Sequence, residues 1–237
     1  MKILLFVLAL IAAAPLVLFA QNPPAPPYIY QMGNRQVRVP APDGFDDITL
    51  KFTDATARMR AAEAPGTDLL AVHVPYTFVP KLQASQDIDL EFYTKVSVNQ
   101  RARTTDINAD LYAAIVADLE KNFGTYIDPN GPLIKGSEKS ASKGLTELLG
   151  SETTVNVSGV KNLGFIEKSD KVFSGVILVS IEVYGRKVTT LGTFSLIHVN
   201  QRAIVAAAYR MSPNANSIRE LTDLTKKWTA KIIAANK

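Results

Sequence analysis

Apolar and polar positions keep different periods in different parts of the chain, and each period predicts its own kind of element. Behind a single Lys2, the run from Ile3 to Ala20 is apolar throughout. That arrangement predicts a secretory signal peptide over residues 1–20, cleaved after Ala20. Pro15 breaks the helix that would let such a run span a bilayer, and the Ala20–Gln21 junction suits cleavage over retention as an anchor. The prolines of "PPAPP" follow, predicting a stiff, extended tether over residues 21–35.

Folded sequence is expected over residues 36–237. Val37 and Val39 alternate with polar neighbours, and "PAPDGF" supplies a turn. "TDATARMRAAE" favours a short helix. "LLAVHVPY" reads as a strand, with Leu70, Val72, Val74 and Tyr76 on one face and Leu69, Ala71 and His73 on the other. In "EFYTKVSV" the alternation turns Phe92, Val96 and Val98 inward and Glu91, Lys95 and Ser97 outward. The period then lengthens: Ile107, Leu111, Ile115 and Leu119 recur every fourth residue, which predicts an amphipathic helix capped by Thr105 or Asp106 and stopped at Gly124. Residues 125–150 read as a polar, glycine-rich connection with a short helix at its end.

After that the strand period returns in "VKNLGFIEK", "KVFSGVILVSIEVYG", "KVTTLGTFSLIHV" and "RAIVAAAYRM", joined by very short connections. Neighbours joined so closely must run antiparallel, because a parallel partner needs a crossover of about a dozen residues. Ile218, Leu221, Leu224, Trp228 and Ile232 stripe the final segment, predicting a C-terminal helix docked by the only tryptophan. The expected architecture is a single α+β domain, mainly an antiparallel sheet flanked by helices, with the C-terminal helix packed on the sheet.

Composition narrows the chemistry. The chain has no cysteine, which removes disulfides, thiol nucleophiles and Cys-ligated metals. A net charge of +4, dispersed along the chain, gives no footprint for nucleic acid. His73 and His198 are the only histidines, and neither falls in a ligand spacing such as H-x-H or H-E-x-x-H. His198, inside an apolar strand with Phe194 and Leu196 on its face, reads as a packed residue with one hydrogen-bond partner. No G-x-S-x-G elbow is present. "GPLIKGS" spaces Gly131 and Gly136 like a phosphate loop but puts Ser137 where the lysine belongs. Asp46–Asp47 reads as a solvated turn, Arg101 and Arg103 as a strand end that can face an anion, and "NVS" at 156–158 as a glycosylation sequon only in a glycosylating host. No catalytic residue, metal ligand or cofactor is assigned on these signals.

"RVPAPDGF", "LLAVHVP" and the terminal "HVNQRAIVAAAY…WTAKIIAAN" resemble exported bacterial proteins with a PsbP-like or DcrB-like layout. That resemblance implies a non-catalytic accessory or binding protein of the cell envelope, periplasmic or secreted, with another envelope protein or a small ligand as partner. It implies membrane contact only through an uncleaved N-terminal segment. Two alternatives stand beside it. One is a small-ligand carrier with Tyr76, Tyr93 or Tyr112 at the mouth of its pocket. The other is a hydrolase whose site assembles only in the fold.

Overall fold

The computed structural model describes residues 28–84, 90–183 and 185–237. The expected signal peptide and residues 21–27 of the expected tether lie outside them. The strands are β1 (Tyr28–Met32), β2 (Arg35–Val39), β3 (Phe45–Asp47), β4 (Thr67–Pro75), β5 (Phe92–Asn99), β6 (Val155–Lys168), β7 (Val172–Val183), β8 (Arg186–Val199) and β9 (Arg202–Met211). The helices are α1 (Thr53–Ala61), α2 (Val79–Gln83), α3 (Ala109–Tyr126), α4 (Pro132–Leu149) and α5 (Ser217–Ala235). β1 and β2 form a separate hairpin, and the other strands make one sheet in the order β3-β4-β5-β9-β8-β7-β6. Every pairing in it is antiparallel.

Helices cover both faces. On β9, Ala203 packs in the cluster built by α3 and α4, and Ala207 and Tyr209 pack beneath α1 and α2. The alternate residues Ile204 and Ala206 pack with Trp228 and Ile232 of α5, together with Met32, Val37 and Val39 of the hairpin. The α3 side is aromatic: Phe123 stacks on Phe194 at 5.0 Å, and Phe165 and Phe173 extend the cluster. Gly175 stands directly across the β7–β8 ladder from Phe194, and a Cβ there would lie 2.8 Å from the ring. The side chain missing from one strand makes the space for the aromatic on the next.

Four expectations change. Residues 28–32 are a strand, so the extended tether gives way to a hairpin before residue 35. Residues 132–149 are a full helix, because Ile134, Ala141 and Leu145 fall on one buried stripe behind Pro132 at the first turn. The glycines that suggested a loop, Gly136 and Gly144, lie inside that helix. α3 is capped by Asn108, whose side chain accepts from the Leu111 amide at 2.8 Å, and it runs through Gly124 to Tyr126. Asp106, freed from capping, pairs with Arg202 instead. Finally, a bulge between Leu69 and Ala71 resets the alternation of β4, so Leu69 shares a cluster with Val72 and Val74 while Leu70 packs with Trp228.

Arg202 ties the layers together. Its guanidinium is fully enclosed and donates to the carbonyls of Met32, Thr105 and Gln201, to Asn34 and to the Asp106 carboxylate. One side chain therefore joins the hairpin, the segment entering α3 and the β8–β9 turn. That turn holds both central residues at positive φ, Asn200 at 48° and Gln201 at 58°, the backbone of a two-residue hairpin loop.

Trp228 is 2 % exposed, and its indole N–H donates to the Pro40 carbonyl at 2.8 Å. Trp228→Ala is expected to cost about 3–5 kcal/mol, the range for deleting a buried aromatic. Urea denaturation of the purified variant measures this, and an unchanged midpoint would show that α5 is not held by its tryptophan.

Candidate functional site

The two histidines occupy opposite faces of the sheet. His198, 6 % exposed, donates from Nε2 to the Ile107 carbonyl at 2.6 Å and stacks on Tyr112 with ring centroids 5.0 Å apart. The Tyr112 hydroxyl in turn donates to the Leu196 carbonyl at 2.9 Å. His198 is thus a packing residue that seats α3 on β8. His73 lies under α5, edge-on to Trp228 at 5.5 Å. β5 and β9 separate their strands. Three interstrand spacings, about 14 Å, and the thickness of the sheet keep the imidazoles from sharing a ligand. Among the described residues no group of three or more His, Asp or Glu side chains is gathered to hold a metal ion.

Asp47, His73 and Thr94 form one cross-strand row over β3, β4 and β5. His73 Nδ1 is 2.9 Å from the Thr94 hydroxyl, and Nε2 is 3.6 Å from Asp47 Oδ2, too far for a hydrogen bond. Asp47 Oδ1 accepts from the Thr49 amide at 2.8 Å. Burial, together with repulsion from Lys231, lowers the His73 pKa to about 3. Burial raises that of Asp47, against the Thr49 hydrogen bonds that lower it. The order carboxylate–imidazole–hydroxyl has the parts of an acyl-transfer triad. All three side chains are buried, however, His73 against Trp228 of α5, and a substrate carbonyl has no approach to the Thr94 oxygen. Asp47 is therefore not the solvated turn residue expected of it. Asp46 beside it keeps its solvent side and binds Lys51 at 2.7 Å.

The other charged pair was not visible in the sequence. Lys95 faces the α1–α4 side, where its ammonium meets the Glu63 carboxylate at 2.5 Å, with both residues more than nine-tenths buried. Burial pulls the Lys95 pKa down, but Glu63 overcomes it and the net shift is upward, so the ammonium stays charged. The stacked rings of Tyr93 and Tyr209 lie alongside, with the Lys95 ammonium 5.9 Å from the Tyr209 centroid. Desolvation holds both phenols above their ordinary value. The outward position expected for Lys95 fails because α1 and α4 cover that face of β5.

Above Glu63 lies an open cleft of about 540 Å³ between the end of α1 and α4, lined by Arg60, Glu63, Thr67, Ser140, Lys143 and Glu147 among others. Ser140 donates to the Glu63 carbonyl at 3.2 Å. Gly144 sets the width of this cleft: a Cβ there would lie 2.0 Å from the Ala61 carbonyl oxygen, so only glycine lets α4 come this close to α1. The tyrosines considered for a ligand pocket do not line it. Tyr93 and Tyr112 are core residues, and Tyr76 is 60 % exposed in a 3-10 turn. Arg103 pairs with Asp68 at 2.7 Å, while Arg101 stands at the surface with no shared anion site beside it among the described groups. Asn156 of the sequon is exposed on β6.

No family model matches the chain, and no curated protein matches it. Among solved structures it is similar to a point mutant of the protein Mog1, at 10% identity over 88% of this chain and 94% of that one, with a TM-score of 0.29. It is also similar to the Ran-binding protein Mog1p of Saccharomyces cerevisiae, at 11% identity over 85% of this chain and 87% of that one, with a TM-score of 0.26. Likeness at this level carries no argument about shared fold or function.

Removing one member of the buried ion pair strands the other. Lys95→Met is expected to destabilise by about 3–5 kcal/mol, and adding Glu63→Gln to recover most of that loss. Equilibrium unfolding of both variants checks it, and equal stability of the single and double variants would show that the pair is not coupled. His198→Gln is expected to lower stability by about 0.5–1.5 kcal/mol, the worth of one hydrogen bond, and to leave metal content unchanged by elemental analysis.

Proposed function

We propose that the chain is an exported, non-catalytic binding protein of the bacterial cell envelope, working in the periplasm or outside the cell. The single observation that carries the non-catalytic half is the enclosure of its acid–base groups. His73, His198, Asp47, Lys95 and Glu63 are each spent on internal partners or sealed between layers. The apolar run of residues 3–20 behind Lys2 supports export, and the absence of cysteine means that folding does not depend on the redox state of the compartment. Among the described residues no helix is long and apolar enough to cross a membrane, so membrane contact in this reading rests on the N-terminal segment alone.

The carrier reading keeps a place because of one feature, the cleft over Glu63. Its volume falls within the range of small-molecule sites, roughly 300–1,000 Å³. It is shallow and carries charges of both signs, which suits reversible contact with a polar group better than enclosure of an apolar ligand.

The test is export together with inertness. Expressed at full length in a bacterium, the protein is expected outside the cytoplasm with an intact mass matching a chain that starts at Gln21. It is expected to turn over no ester, phosphate, peptide or glycoside substrate faster than buffer. A cytoplasmic protein that keeps Met1 would overturn the localisation. Turnover abolished by one substitution at His73, Asp47 or Glu63 would overturn the non-catalytic assignment.

A further inference from the structure

His73, at the centre of the buried Asp47–His73–Thr94 row, lies edge-on to Trp228 of α5. Each element packed on His73 contributes a group. β3 brings Asp47, β5 brings Thr94, and α5 brings Trp228 and Lys231. The Lys231 ammonium is held by the Ala41 carbonyl at 3.0 Å and by Asp43 at 2.6 Å. His73 Nε2 and Asp47 Oδ2 face each other across 3.6 Å, both buried and neither hydrogen-bonded. The α5 face of the sheet carries further buried polar groups. Thr193 and Thr225 share a hydrogen bond of 2.7 Å across it, and the Ser174 and Ser195 hydroxyls are buried there without partners. The opposite face is closed by the Phe123, Phe165, Phe173 and Phe194 cluster and holds its charges as the paired Lys95 and Glu63.

We propose that α5 is an acid-released clamp: protonation of His73 lifts the helix from the sheet while the sheet and the helices on its other face stay folded. An imidazolium has two N–H donors and a full charge to solvate. Its pocket offers one hydroxyl, a carboxylate beyond bonding distance and the edge of an indole. Lifting α5 brings water to the ring and breaks the bonds of Trp228 to Pro40 and of Asn236 to Arg38, while the helices on the other face keep their contacts. Docked, His73 takes its proton only near pH 3. Released, it takes one at the ordinary value of about 6.5. The sign follows. Docking is fully favoured above pH ~6.5, and the released state gains up to ~tenfold for each unit below it, until the docked histidine also titrates. Asp47 acts in the opposite sense. Its raised pKa lets the docked state take up a proton that the released state declines, which offsets part of the histidine effect.

Trp228 is the only tryptophan in the chain and touches His73, so selectively excited fluorescence reads the clamp directly. The purified protein is titrated from neutrality towards pH ~3 while tryptophan emission, far-ultraviolet circular dichroism and amide exchange are followed. Emission is expected to change at a higher pH than the sheet signal. Amides of α5 around Leu221 to Ile232 lose protection first, while those of β7 and β8 keep theirs. In His73→Gln the separate emission change disappears into global unfolding. Loss of emission and sheet signals together in the wild-type protein overturns the clamp, whether or not the variant folds. Persistence of the separate emission change in His73→Gln overturns it as well.

Discussion

A sheet covered on both faces has no solvent side on which to leave a polar residue, and that constraint governs the rest of this molecule. β5, β9 and β8 run through the middle of the sheet with α1–α4 on one face and α5 on the other. Every buried charged or hydroxylic side chain in those strands therefore needs an internal partner or remains unsatisfied in the core. Lys95 finds Glu63, Thr193 finds Thr225, and Thr94 finds His73. Each of these partnerships joins the sheet to another element or strand, so each specifies a contact that apolar packing alone would leave free to slide.

Arg202 applies the same logic at the end of the sheet. A guanidinium has five N–H donors in a fixed plane, and burying it is tolerable only where acceptors already converge. Here they come from three separate stretches of chain, residues 32–34, 105–106 and the β8–β9 turn. The side chain acts as a template for their mutual placement. It also explains why the hairpin of residues 28–39, which shares no ladder with the main sheet, still has a fixed position against it.

Much of the fold was legible because period and connection length are local. The antiparallel run from β6 to β9, the amphipathic α3 and the docked α5 all follow from spacings of a few residues. α4 was hidden because it carries two glycines, and of these Gly144 serves the approach of α1, a reason that only tertiary structure supplies. The faces of β4 were misassigned by one residue because a bulge leaves no mark in composition. For the site, the pattern showed that His198 sits among apolar neighbours, but not that a helix would cover Lys95. Alternation tells which residues share a face, and it cannot tell whether the second face is wet. Both buried charged sets, Lys95–Glu63 and Asp47–His73, belong to that second question.

The two faces differ in what their burial demands. On the α3–α4 side, apart from His198 on the Ile107 carbonyl, the interface is mainly aromatic and apolar, and separating it from the sheet exposes Phe123, Phe173 and Phe194, each carrying a large hydrophobic area. On the α5 side Trp228 and Ile232 supply the apolar anchor, but Trp228 also meets His73, and Thr225 bonds Thr193 on the sheet. Hydrophobic area gives no response to pH, whereas a sealed imidazole does. Local stability in a protein is set by the weakest cooperative layer rather than by the average. The polar seam under α5 places His73, whose pKa burial lowers, in the layer proposed to release. A mixed lining of this kind costs stability relative to an all-apolar one, and what it provides in exchange is a helix whose docking depends on the proton.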